Sequence, residues 1–187
     1  DTDGAQSTNA GLSTFNSDNT VTLMGGLSPV NDGGNDRTYV AWSWKAGGAP
    51  DETNKYMKNG SPDNSIAAGG DITPEKMSVN TEAGFSIVKY NTGQSGHLTG
   101  GPYKIPHGLN KTPDIVMIKS LANDSDWLVH FEKLGGANYT QLNGSYSFSI
   151  GDVDTYPGGN NEDVVNIGGT AVIAADGDYI MYSWHSV

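Results

Sequence analysis

Apolar and polar residues alternate along this chain in short runs, separated by clusters of Gly, Asn, Asp and Pro. In "AGFSIVKY" (83–90), Phe85, Ile87 and Lys89 fall on one side of an extended chain, and Ser86, Val88 and Tyr90 on the other. Successive side chains of a strand point to opposite faces, so a period of two predicts a half-buried strand. "NTVTLMG" (19–25), "RTYVAWSW" (37–44), "DWLVHFEK" (126–133), "SYSFSIGD" (145–152), "TAVIAA" (170–175) and "DYIMYSWH" (178–185) read the same way. "PDIVMIKS" (113–120) is apolar almost throughout, as in a strand buried on both faces. The intervening "NDGGND", "NGSPDNS", "TGQSGHLTGGP" and "YPGGNNED" supply the special backbone angles of turns. Residues 45–77 show no period, and a segment of that length without one predicts an irregular excursion. "TPEKMSVN" (73–80) predicts a single helical turn, with Thr73 as cap and Pro74 in the first position. The fold class expected is all-β: antiparallel β-sandwich-like repeat modules with long Gly-rich loops.

Two parts of the pattern recur. "VTL" (21–23) is echoed by "FSI" (148–150), and "TYVAWSWKAGG" (38–48) by "DYIMYSWHSV" (178–187). Recurrence of strand, turn chemistry and Trp together predicts a structural unit used twice. On this reading residues 1–48 are the C-terminal part of a first β-repeat, 49–80 an irregular linker, and 81–187 a complete second β-repeat. Leu23–Trp44 and Ile150–Trp184 are expected to form matching antiparallel strand pairs, with Trp44 and Trp184 in equivalent positions.

The order "YVAWSWKAGG", "TEAGFSIVKY", "HGLNKTPDIVMIKS", "SDWLVHFEKLG", "YIMYSWHSV" resembles a repeat module of virion structural and tail-fibre proteins of marine tailed bacteriophages, the cyanophages included. The resemblance covers residues 15–48 and 80–187. It implies a non-enzymatic virion structural protein of a fibre or surface appendage, a tail or head fibre engaged in host-surface attachment. Its setting would be the surface of the extracellular particle, among other virion proteins, as a homo-oligomer, with a trimer favoured. Two alternatives stay open: a capsid decoration (cement) protein, and a carbohydrate-binding surface module that meets a host-surface glycan.

Composition narrows the chemistry. With Lys+Arg 10 against Asp+Glu 21, the net charge is −11, which repels phosphate and argues against nucleic acid as a partner. No apolar run reaches the length of a membrane span, so membrane insertion is not expected. The absence of Cys removes thiolate chemistry, disulfides and cysteine-built zinc sites. No nucleophile elbow, P-loop, dinucleotide fingerprint or zinc-protease motif is present, and an enzyme is not expected.

His97, His107, His130 and His185 are far apart in sequence, and His107 in "PHGLNKTPD" is expected to order a turn through backbone hydrogen bonds. No cofactor is required. Calcium, which takes six to eight oxygens, has candidate ligands in Asp152, Asp154 and Asp163 of the acidic loop 151–163, and "NDSD" (123–126) is a similar candidate. Exposed aromatic faces supply apolar area with a polar handle, which makes Trp127, Tyr103 and Tyr156 the candidates for stacking on a ligand. Trp42 and Trp44, on one face of one predicted strand, are the candidates for a contact between subunits. The segments 45–77, 92–103 and 151–163 are the loops that would face a partner.

Overall fold

The computed structural model describes residues 12–16, 20–23, 42–95, 103–122, 125–134, 137–142, 149–151, 160–168 and 177–187. It divides into two compact units, Asp1–Ser43 and Trp44–Val187. In the first, β1 (Leu12–Phe15) and β2 (Val21–Leu23) form an antiparallel hairpin. Asn16 closes the turn by donating from its side-chain amide to Thr20 Oγ1 and Thr22 Oγ1.

The second unit is all-β. Its strands are β3 (Tyr56–Lys58), β4 (Ser61–Pro62), β5 (Lys76–Asn80), β6 (Phe85–Asn91), β7 (Tyr103–Pro106), β8 (Ile115–Ser120), β9 (Leu128–Phe131), β10 (Ala137–Gln141), β11 (Ser149–Gly151), β12 (Val164–Ile167) and β13 (Asp178–Trp184). Short 3₁₀ turns lie at Asn64–Ala67, Thr92–Ser95 and Glu132–Leu134. Among the described residues, nine strands make one sheet in the order β11-β10-β9-β8-β13-β6-β5-β3-β4, and β7 and β12 make a separate two-stranded ribbon. Pairing in the large sheet is antiparallel except between β3 and β5.

The alternation read from the sequence becomes two distinct faces. Val88 and Tyr90 of β6, Val116 and Ile118 of β8, and Tyr179 and Met181 of β13 point inward and are buried. Tyr103 and Ile105 of β7, with Val165 and Ile167 of β12, belong to the same core cluster, so the ribbon closes this face as a second layer. Tyr90 and Tyr179 stack at 5.5 Å inside it. Burying such side chains is worth roughly 1.5–3 kcal/mol each, which makes this cluster the main source of stability.

Three expectations are corrected. Residues 49–80 are not a linker: they carry β3, β4, β5 and a 3₁₀ turn, and they bury Ile66, Ile72, Met77 and Val79 in the core. The unit boundary falls after Ser43, not at residue 48. The expected helical turn at 73–80 is instead strand β5, because Met77 and Val79 fill the inner face while Ser78 and Asn80 are buried on the other side by polar contacts. Burial of both faces by different chemistries removes the apolar period, so the sequence pattern failed there.

The pairing expected of the repeat also changes. Ile150 lies in β11, which pairs with β10, whereas Trp184 lies in β13 between β6 and β8. The segments are therefore not adjacent strands. Residues 42–46 are not in a strand. The expectations for 170–175 and for most of 24–41 lie outside the described residues, as do the Gly-rich loops 96–102 and 152–159.

Candidate functional site: an aromatic sheet face and its glycine strap

The outer face of the large sheet differs in kind from the inner one. Tyr182 and Trp184 of β13 face outward, beside Ile87 and Phe85 of β6 and Met117 and Ile115 of β8. Phe85 and Trp184 are register partners with rings 5.1 Å apart, and Tyr182 stacks on Phe85 at 6.4 Å and on Trp184 at 6.1 Å. Trp127, just before β9, stacks on Tyr182 at 6.2 Å. Cross-strand aromatic pairs at these separations contribute about 0.5–1.5 kcal/mol each beyond their area. Burial raises the Tyr182 hydroxyl pKa above its usual value.

Trp44 completes the row from outside the sheet. Its ring meets Trp184 edge-on at 5.3 Å and Phe85 at 5.9 Å, while 51% of the residue remains exposed. The chain after it is held as a strap. Gly47 N donates to Ser78 Oγ at 3.0 Å, Ser78 Oγ donates to Gly48 O at 2.6 Å, and Gly60 N donates to Gly47 O at 2.6 Å. A Cβ on Gly47 would stand 1.8 Å from Val79 O, so only glycine permits this approach. "WKAGG" is thus a local instruction: an aromatic anchor, then two residues small enough to lie on β5.

One end of the core is polar. His107 is fully buried; its Nδ1 accepts from Leu109 N at 3.2 Å and its Nε2 lies 3.1 Å from Asn161 O. With Nδ1 an acceptor, Nε2 carries the proton, and the ring orders the Pro106–Asn110 turn as its sequence context suggested. Desolvation lowers the His107 pKa to about 4. His130 Nε2 lies 3.2 Å from Glu132 Oε2, which also accepts from Asn160 Nδ2 at 3.1 Å, joining the large sheet to the segment that enters β12. Among the described residues the buried hydroxyls of Ser86 and Ser183 have no hydrogen-bond partner.

The remaining candidates are dispersed. Tyr103 is a core residue of β7 and presents no ring face to a ligand, a correction that follows from its inward side of the β7–β12 ribbon. Trp127 is half-buried on the aromatic face. Trp44 belongs to that face too, so its inner ring side packs within the chain, whereas Trp42 is 76% exposed in the first unit. Asp163 is exposed, and Tyr156, Asp152 and Asp154 lie outside the described residues. Among the described residues no group of three or more His, Asp or Glu could hold a metal ion, and no helix is long and apolar enough to cross a membrane. Phe85, Tyr182 and the Gly47–Gly48 strap were not singled out from sequence. For Phe85 and Tyr182 the available signal was outward parity on β6 and β13.

A family described as "Domain of unknown function (DUF7483)" matches residues 1–187, and the chain belongs to it. Neither a curated protein nor a solved structure matches the chain.

Proposed function

We propose that this member of the DUF7483 family is a non-enzymatic structural module of a bacteriophage surface appendage, a tail or head fibre that takes part in attachment to the host. The observation that carries the reading is the strap. Trp44, which opens the second unit in a segment whose sequence recurs at the end of the chain, joins the aromatic row, and Gly47 and Gly48 seat on β5. Ring packing and backbone hydrogen bonds of this kind hold the start of the second unit firmly on its own sheet, as suits a module with a structural role. The motif order of the phage modules, which this chain resembles, supports the same role.

In this role the protein works among other virion proteins as a homo-oligomer, with a trimer favoured. Gold-labelled antibody against the purified chain should decorate appendages of the particle that encodes it. Label spread over the shell would instead make it a capsid decoration protein, and particles without label would sink the virion assignment. Sedimentation of the purified protein should give the trimer mass; a monomer would count against the assembly.

A further inference from the structure

The hairpin between β3 and β4 turns on Asn59–Gly60, the two residues that join Lys58 to its register partner Ser61. Both have positive φ, 50° at Asn59 and 87° at Gly60, the pattern of a type I′ turn, which favours Asn-Gly. The same dipeptide is chemically labile. The backbone N of Gly60 can attack the carboxamide carbon of Asn59, because glycine has no Cβ to hinder the approach. That step forms an N–Cγ bond and expels Nδ2 as ammonia, which takes the Gly60 amide proton with it. Water then opens the cyclic imide at either carbonyl, giving Asp or isoaspartate. The net reaction consumes a water and releases an ammonia.

The fold holds both reacting groups. Gly60 N donates to Gly47 O at 2.6 Å, so its proton is engaged by the strap. Asn59 Nδ2 donates to Thr81 Oγ1 at 2.8 Å, and Asn59 Oδ1 accepts from Thr81 N at 2.9 Å. The carboxamide is therefore pinned through its nitrogen and its oxygen to the residue after β5, and turning it onto Gly60 N breaks both bonds. Ser78 Oγ, by bonding to Gly47 N and Gly48 O, sets the position of the strap that holds the Gly60 amide. Crowding does not protect this turn. Asn59 and Gly60 are exposed, and a Cβ on Gly60 would stand in open space. Water reaches the turn, so hydrogen bonding rather than burial sets its reactivity.

We propose that Asn59–Gly60 is a deamidation site latched by the strap. With Gly47 on the Gly60 amide and Thr81 on the Asn59 carboxamide the turn stays intact, and it reacts when the strap lifts from β5. Isoaspartate puts an extra methylene into the main chain of a two-residue turn, which carries Gly60 N away from Gly47 O. Opening of the strap is thereby recorded as its lasting release. The inference rests on the strap and the turn, and is independent of whether the chain sits on a virion.

The test incubates the full chain in mildly alkaline buffer and follows deamidation at residue 59 by peptide mass mapping. The native protein should react about tenfold or more slowly than the same chain unfolded in guanidinium, where the hydrogen bonds at both reacting groups are lost. Ser78→Ala removes the side-chain anchor of the strap, and Thr81→Val removes the acceptor of Asn59 Nδ2. Each should raise the native rate about fivefold. Ile118→Val, a small change in the core, should leave it unchanged. Equal rates in the native and unfolded chains would overturn the proposal, and so would a wild-type rate in either strap variant. Acceleration by Ile118→Val to the same degree would make global unfolding the route and refute the latch. In converted protein the Gly60 amide should exchange with solvent faster than in the unconverted chain; equal exchange would refute release of the strap. None of these outcomes bears on where antibody labels the particle.

Discussion

The two faces of β6 and β13 are built from one alternating pattern, yet they are closed in opposite ways. Inward, Val88, Tyr90, Tyr179 and Met181 are sealed by the β7–β12 ribbon and each is at most 2% exposed. Outward, Phe85, Tyr182 and Trp184 form an aromatic row to which Trp44 adds a half-exposed ring and the Gly47–Gly48 strap adds backbone cover. The inner face is a core that any compact β-protein needs. The outer face is covered only locally, by the Trp44–Gly48 segment at the start of the same unit. The contrast teaches that equal periodicity does not mean equal cover.

The largest effect should come from the inner face. Met181→Ala leaves a cavity under the ribbon and should cost about 4 kcal/mol in chemical denaturation. A loss under about 1 kcal/mol would mean that the ribbon does not seal this face. Gly47→Ala tests the strap: the added Cβ meets Val79 O, and the cost should be about 3 kcal/mol. Hydrogen exchange should quicken first at the Gly60 amide, which donates to Gly47 O. Exchange that quickens equally at the Met181 amide would erase the distinction between strap and core.

The polar end of the inner face supplies a pH test. His107 has a folded pKa of about 4 against 6.5 for the free side chain, because burial disfavours the charged ring. Between those values the unfolded chain takes up a proton that the folded chain refuses, so stability falls as pH drops through that window. The stabilisation is fully present above about pH 6.5 and lost by about pH 4, a difference of about 3 kcal/mol. Unfolding free energies of the wild type and of His107→Gln, measured across that range, should change by amounts that differ by about 3 kcal/mol. Parallel curves would show that His107 is not the titrating group.

Smaller changes sharpen the outer face. Trp44→Ala should cost about 2 kcal/mol, since half of the residue is already in water and two ring contacts are lost. The near-ultraviolet circular dichroism of the aromatic row should weaken while far-ultraviolet strand signal persists; an unchanged aromatic spectrum would contradict the packing of Trp44 on Trp184. The smallest effect belongs to Tyr90→Phe. The buried Tyr90 hydroxyl has no hydrogen-bond partner, so its removal should be neutral or stabilise by up to about 1 kcal/mol. A clear loss of stability would reveal a bridging water at that hydroxyl.

What the sequence determined by itself is the all-β class and the parity of the long strands. Phe85–Asn91, Ile115–Ser120 and Asp178–Trp184 declared which residues share a face, because period two is a property of one strand and needs no neighbour. The seat of His107 on backbone groups was legible for the same reason: its partner Leu109 is local. Tertiary structure decided the rest. Strands of two or three residues such as β3 and β4 are too short to show a period. Ser78 is polar because a strap from residues 47 and 48 bonds to it, at a sequence separation of 31 residues from Gly47. The partner strands of β13, the aromatic row and the hold of Thr81 on Asn59 all join residues distant in the chain. Pairing of that kind is chosen by the packing of whole layers, which no single stretch of sequence encodes.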